Sequence, residues 1–176
     1  MPDLFLFRHG TAEETRPGLP DPERALTPEG RDRFARAARF WAPWFPEGTV
    51  LLCSPYRRAR ETAALLRDAL PGHPPLEEED LLVHWTDPLD LCRALPEAES
   101  LCLVTHMPLV GRLVSMFLLG SPDRGFPVGK GMGIWLRSRT PWSTGGGARL
   151  LAAVAQRAAI SSSDRESRRS KRSGRA

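Results

Sequence analysis

The sequence predicts an α/β fold, a three-layer αβα sandwich built around a mostly parallel central sheet. Three observations carry that prediction. Short apolar runs at Leu4–Phe7, Val50–Cys53 and Leu101–Thr105 have the length and character of buried strands. Each is followed, directly or after a loop, by a segment whose apolar residues recur at spacings of three and four. Strands alternating with such helices form parallel sheets covered on both faces. A chain of 176 residues is long enough for one domain with a real core, and no repeat or interdomain linker divides it.

Taken in order, Leu4–Phe7 ends in Arg-His-Gly, a strand stopping at a turn. Residues 11–26 hold Gly and Pro without a period and read as a loop. Thr27-Pro28 is a helix start, a capping Thr with Pro at the first helical position. Phe34, Ala37, Ala38, Trp41 and Phe45 then form one apolar face. After the strand Val50–Cys53, Ser54-Pro55 opens a second helix with Ala59, Ala63, Leu66 and Leu70 inward. Pro74–Leu76 reads as a short strand and Asp87–Leu95 as a short helix. Leu101–Thr105 is followed by an apolar helix through Val110, Val114 and Phe117. Gly133–Arg137 and Ala148–Ala155 form a hairpin around Gly145-Gly146-Gly147, its second member being strand or helix by periodicity alone. The five tryptophans fall mostly at helical or strand-core positions and read as packing.

Composition excludes several classes. No apolar run reaches the 18 residues of a spanning helix, and Met1–Gly10 lacks the pattern of a secretory signal. Cys53, Cys92 and Cys102 cannot form a disulfide framework, so a reduced cytoplasmic protein is expected. The net charge of +4 is unevenly placed. Residues 157–176 hold seven basic and two acidic side chains, whereas residues 1–156 hold 18 basic and 19 acidic ones. The expected organisation is a domain over 1–156 and a disordered Ser/Arg-rich tail over 157–176, which alone offers a surface for RNA or an acidic partner. Only two of the 25 cations are lysines, a compositional habit rather than a signal.

At three places a predicted strand ends and a His or Arg follows: Arg8-His9, the stretch from Ser54 to Arg60, and His106. In parallel α/β sheets ligands bind beyond the carboxyl ends of the strands, so one rim gathers all three. Arginines suit a phosphoryl group because their fixed fork of donors matches its oxygens, and an unprotonated histidine can attack phosphorus. No Asp, Glu or Cys stands at metal-ligand spacing around His9 and His106, so neither a zinc site nor another cofactor is expected. His73 and His84 read as surface residues, and Arg57 and Arg60 as solvated or ion-paired neighbours of the site.

These residues form a pattern. Arg8-His9-Gly10-Thr11, then Ser54-Pro55-Tyr56-Arg57-Arg58-Ala59-Arg60-Glu61-Thr62-Ala63, then Val104-Thr105-His106-Met107-Pro108 resemble the histidine phosphatase superfamily, which includes the phosphoglycerate mutases. The short chain and the His106-to-Gly111 segment look most like the SixA-type phosphohistidine phosphatases, over roughly residues 3–155. The resemblance implies the phosphoglycerate mutase-like sandwich, a transiently phosphorylated His9, phosphate-binding Arg8 and Arg58, and His106 as a donor to the transferring group. It implies no metal. Thr11 is either a phosphate contact or a turn cap. Many members use an acid beyond the second helix; here Leu76–Leu81 holds several candidates, with Asp80 as the nearest match.

A weak acid disfavours alkyl esters, whose alkoxide leaves badly, and favours phosphohistidine, whose leaving nitrogen is easily protonated. Only 48 positions separate Arg58 from His106, leaving little chain for a lid and an opening wide enough for a protein surface. The expectation is therefore a phosphatase acting on protein phosphohistidine. The alternatives are a phosphatase for a small sugar or nucleotide phosphate, or a non-catalytic module that binds phosphorylated partners or RNA. The last would need the arginines but no nucleophile.

Overall fold

The computed structural model describes residues 1–162 and Asp164. Its elements are β1 (Asp3–Arg8), α1 (Pro28–Trp41), β2 (Val50–Cys53), α2 (Arg57–Ala69), β3 (Leu76–Glu78), α3 (Pro88–Ala94), β4 (Ser100–Thr105), α4 (Leu109–Leu119), β5 (Gly133–Arg137) and β6 (Arg149–Val154). The sheet order is β3-β2-β4-β1-β5-β6, with parallel pairing from β3 to β1 and antiparallel pairing for β5 and β6. No helix among the described residues is long and apolar enough to cross a membrane.

Alternation along the buried strands divides the core in two. Leu4 and Leu6 of β1 and Leu101 and Leu103 of β4 pack on one face against Val110, Val114 and Phe117 of α4. Phe5, Phe7, Cys102 and Val104 pack on the other against Phe34 and Trp41 of α1 and Ala63 and Leu66 of α2. With helices on both faces, the central strands carry no polar side and read as continuous apolar runs. This is the three-layer sandwich that the alternation of strands and helices predicts.

Thr27 caps α1 as expected, its hydroxyl accepting from the Gly30 N–H at 2.9 Å. The second helix begins at Arg57 rather than at Ser54, because the Ser54 N–H still bonds the Val104 carbonyl (3.0 Å) and prolongs the sheet. β3 lies at Leu76–Glu78, two residues beyond the expected start, with its register set by pairing to Leu51–Cys53. It is an edge strand, where its charged residues Glu77 and Glu78 are compatible with strand structure. The predicted hairpin is present, and pairing with β5 makes its second member a strand.

Two expectations need correction. Trp85 is not a packing residue: it is 66% exposed, on the loop between β3 and α3. The start of the basic tail is not disordered, since residues 156–162 are helical. Ala159 is fully buried there and Ile160 nearly so, against Ala37 of α1. Charge counted over twenty residues hid this short apolar patch. Residues 163 and 165–176 lie outside the described residues, and with them the rest of the tail expectation.

The loop after β1 is tied to α1 at a close approach. The Thr27 N–H donates to the Thr11 carbonyl at 3.0 Å, and a Cβ added to Gly30 would stand 2.1 Å from that oxygen. Gly30→Ala should therefore destabilise the chain by about 1–3 kcal/mol, because backbone rather than a flexible side chain must move. Urea unfolding of the two proteins checks this.

Candidate active site

Parallel pairing brings the predicted residues together. Arg8 stands opposite Thr105 and Cys53 opposite Val104, so β1, β2 and β4 end side by side. The His9 N–H extends the ladder to the Thr105 carbonyl at 3.0 Å. His9 and His106, 97 positions apart, therefore face one another with ring centroids 5.0 Å apart. Arg58, in the first turn of α2, reaches His9 with its Nε 3.3 Å from the His9 Nε2. His9, Arg58 and His106 are all buried.

The hydrogen bonds settle which nitrogen of His9 is free. Its Nδ1 lies 2.7 Å from the Gly10 carbonyl, which can only accept, so Nδ1 carries the proton. Nε2 then presents a lone pair and accepts from Arg58. Burial pushes the His9 pKa down to about 3; the Gly10 carbonyl opposes this, and the charges of Arg58, Arg8 and Lys130 add to it. His106 is lowered to about 2, first by burial and then by His9 and Arg58. Both imidazoles are neutral at pH 7.

His106 is oriented by Ser54, a fully buried residue that sequence reasoning passed over. Its Oγ lies 2.8 Å from the His106 Nε2 and accepts from the Tyr56 N–H at 3.3 Å. A hydroxyl proton donated to Nε2 would put the imidazole proton of His106 on Nδ1. That Nδ1 and the Arg8 Nε are buried without a partner in the described structure. Such atoms cost about 1–3 kcal/mol each unless something pairs with them. A bound oxyanion beside His9 is the group that would do so.

The Arg-Ala-x-x-Thr segment owes its spacing to the helix. The Thr62 hydroxyl donates to the Arg58 carbonyl one turn back at 2.6 Å and accepts from the Gly10 N–H at 3.1 Å. One side chain thus fastens the arginine-bearing turn of α2 to the backbone beside His9. Arg8 is held from the opposite side, its Nη1 donating to the Val128 carbonyl at 2.8 Å.

The 11–26 loop, read as featureless, supplies a carboxylate. Asp21 accepts from the Arg58 Nη2 at 3.0 Å through its side chain and from Nη1 at 2.7 Å through its carbonyl. It also accepts from the Arg24 Nε at 2.8 Å. Burial would raise its pKa, but the hydrogen bonds and charges of the two arginines outweigh that and hold it below the usual carboxylate range. The segment reaching over the site thus precedes α1 instead of lying between Arg58 and His106. Asp-x-x-Arg between a strand and a capped helix was the signal available for it.

The remaining predicted residues lie further out. Asp80 is exposed, and among the described residues it contacts none of His9, Arg8, Arg58 or His106. Thr11 acts through its carbonyl on Thr27, and its hydroxyl has no bond in the described structure. Arg57 and Arg60 are ion-paired with Glu61 and Glu78, as expected. His84 is not a plain surface residue. It is half-buried, 6.4 Å from the His106 ring and 4.4 Å from Trp85 between centroids. A crevice of about 400 Å³ lined by Pro2, Glu97, Arg139 and Trp142 contains none of the site residues.

With this geometry in view, the sequence profile of the histidine phosphatase superfamily (branch 1) matches residues 4–85, the stretch that carries Arg8, His9 and Arg58. The chain belongs to the histidine phosphatase superfamily. An uncharacterised protein of Picosynechococcus sp. (strain PCC 7002) is 31% identical over 144 residues, which cover 77% of this chain and 85% of that one. Among solved structures, the protein histidine phosphatase SixA complexed with tungstate superposes with a TM-score of 0.72 at 23% identity, covering 88% of this chain and 97% of that one. A mycobacterial glucosyl-3-phosphoglycerate phosphatase complexed with VO3 gives 0.64 at 16% identity, over 86% and 98% of the two chains. Phosphoserine phosphatase from Entamoeba histolytica, in complex with 3-phosphoglyceric acid, gives 0.63 at 17%, over 88% and 98%. At these identities the likeness establishes the shared fold.

The lowered histidines make a pH prediction. A folded pKa below the unfolded value near 6.5 means that the unfolded chain takes up protons that the native one refuses. Stability is then full above pH 6.5 and falls by up to about 1.4 kcal/mol per pH unit per histidine below it. The Cε1 proton shifts of His9 and His106 should stay flat from pH 8 to 5, while denaturant stability drops between pH 6.5 and 5.

Proposed function

We propose that the chain is a phosphatase that works through a phosphorylated His9 and acts on protein phosphohistidine. The observation that carries the mechanism is the tautomer of His9, with Nδ1 bound to the Gly10 carbonyl and Nε2 unprotonated between Arg58 and His106. In the first step Nε2 attacks phosphorus, the P–Nε2 bond forms, and the bond to the leaving group breaks. The leaving imidazole takes a proton from solvent. In the second step water attacks phospho-His9, gives up a proton, and releases inorganic phosphate and neutral His9.

Arg8 and Arg58 supply positive charge where the equatorial oxygens gain negative charge, and the His106 Nδ1 supplies a neutral donor. Arg58 keeps its Nε toward the nucleophile while Asp21 holds its other end, so its fork is oriented before substrate arrives. Preorganised donors need no rearrangement at the moment of reaction.

Acid strength supports the substrate class. Asp21 is the one carboxylate that touches the arginine clamp among the described residues, and the arginines hold it ionised. Asp80, the acid expected from the sequence, is exposed and has no hydrogen bond or ion pair with His9, Arg8, Arg58 or His106 among the described residues. A site whose described residues place only an ionised carboxylate on the arginine clamp suits a phosphoramidate, since imidazole is protonated readily at neutral pH, better than an alkyl ester. A small phosphomonoester with a good leaving group is the second reading, favoured by the burial of His9 and His106.

The deciding experiment compares kcat/KM for a phosphohistidine-bearing phosphotransfer domain and for p-nitrophenyl phosphate. The expected result is a strong preference for the domain, and loss of turnover of both substrates in His9→Ala. Turnover surviving in His9→Ala would remove the nucleophile. A preference for the aryl ester would move the substrate to small phosphomonoesters.

A further inference from the structure

The chain has 25 basic residues but only two lysines, Lys130 and Lys171. One of them stands beside the nucleophile. Lys130 lies between Gly129 and Gly131, in the turn that leads into β5, and this turn is fastened to the backbone of Arg8 and His9. The Gly131 N–H donates to the carbonyls of Arg8 (3.1 Å) and His9 (3.0 Å), and the Arg8 N–H donates to the Met132 carbonyl at 3.2 Å. The Met132 N–H closes the turn onto the Gly129 carbonyl at 3.1 Å. Gly131 sits at φ +68°, where a Cβ would come within 2.6 Å of the Gln156 side chain. The backbone that follows Lys130 is therefore held in place beside His9.

Its side chain differs from the other cations around the site. Arg24 and Arg58 share Asp21, Arg57 pairs with Glu61, and Arg60 with Glu78. Lys130 is exposed and has no hydrogen bond or ion pair among the described residues. Its charge nevertheless reaches His9, where it adds to those of Arg58 and Arg8 in opposing protonation.

We propose that Lys130 is a third cationic oxyanion-binding residue of this site, its ammonium reaching phosphoryl oxygens on the solvent side of the Arg8–Arg58 clamp. The proposal rests on the phosphoryl-site reading given above. An ammonium on a flexible stem has three rotatable donors and can follow an oxyanion, where a guanidinium fork needs a fixed partner geometry. A contact made alike with bound substrate and with the transition state lowers KM and leaves kcat nearly unchanged.

The test uses the full chain as Lys130→Met and Lys130→Arg, with p-nitrophenyl phosphate as substrate and inorganic phosphate as inhibitor. Lys130→Met should raise KM and the phosphate inhibition constant together, by about fivefold to tenfold, with kcat within about twofold. Lys130→Arg should restore most of that binding. Phosphate affinity measured by calorimetry should fall more steeply with added NaCl in the native chain than in Lys130→Met. An unchanged inhibition constant in Lys130→Met overturns the proposal, as does a fall in kcat at constant KM. Calorimetry with phosphate needs no turnover, so the two readings fail separately. A chain that binds phosphate through Lys130 yet hydrolyses nothing overturns the phosphatase reading alone. One that hydrolyses the ester with phosphate affinity unchanged in Lys130→Met overturns the role of Lys130 alone.

Discussion

The pairing register between β1 and β4 is the constraint on which the rest of the site depends. Arg8 opposite Thr105 puts the residue after each strand, His9 and His106, at the same height on the sheet rim. Side-chain direction alternates along a strand, so a slip of one residue would send one of the facing core sets to the wrong helical layer. If β1 slipped, Phe5 and Phe7 would leave the α1–α2 face and Leu4 and Leu6 the α4 face. The core thereby protects the geometry of the histidines, which contribute little to it themselves.

Burial then decides the chemistry of that rim. Two imidazoles 5.0 Å apart, with arginines alongside, cannot easily be charged, and desolvation is the larger part of the reason. The result is a nucleophilic nitrogen that stays free of protons while the cations around it stay charged. Asp21 belongs to the same balance. It keeps the buried Arg58 from being an uncompensated cation and sets the direction of its fork. Ser54 and Thr62 do comparable work through single hydroxyls, one orienting His106 and the other tying Arg58 to the Gly10 backbone.

Much of this was legible in the chain. Leu4–Phe7, Val50–Cys53 and Leu101–Thr105 were readable as strands because burial on both faces leaves no polar position in them. Thr27-Pro28 and the Arg-Ala-x-x-Thr start of α2 are local signals with local causes. What escaped were residues whose roles arise from contacts distant in sequence. Asp21 lies in a glycine- and proline-bearing loop without periodicity, and Ser54 looks like the start of a helix while it completes a sheet. Trp85 looked like core because tryptophan usually is, and Ala159 and Ile160 were hidden in a stretch dominated by charge.

The sequence by itself determined the sandwich, the alternation of its main strands and helices, and the kinds of side chain waiting at the strand ends, since these follow from apolar periodicity and short-range capping. Tertiary structure alone decided which nitrogen of His9 is free and which carboxylate meets Arg58. Those depend on hydrogen bonds and desolvation between segments tens of residues apart, and neither spacing nor composition encodes them.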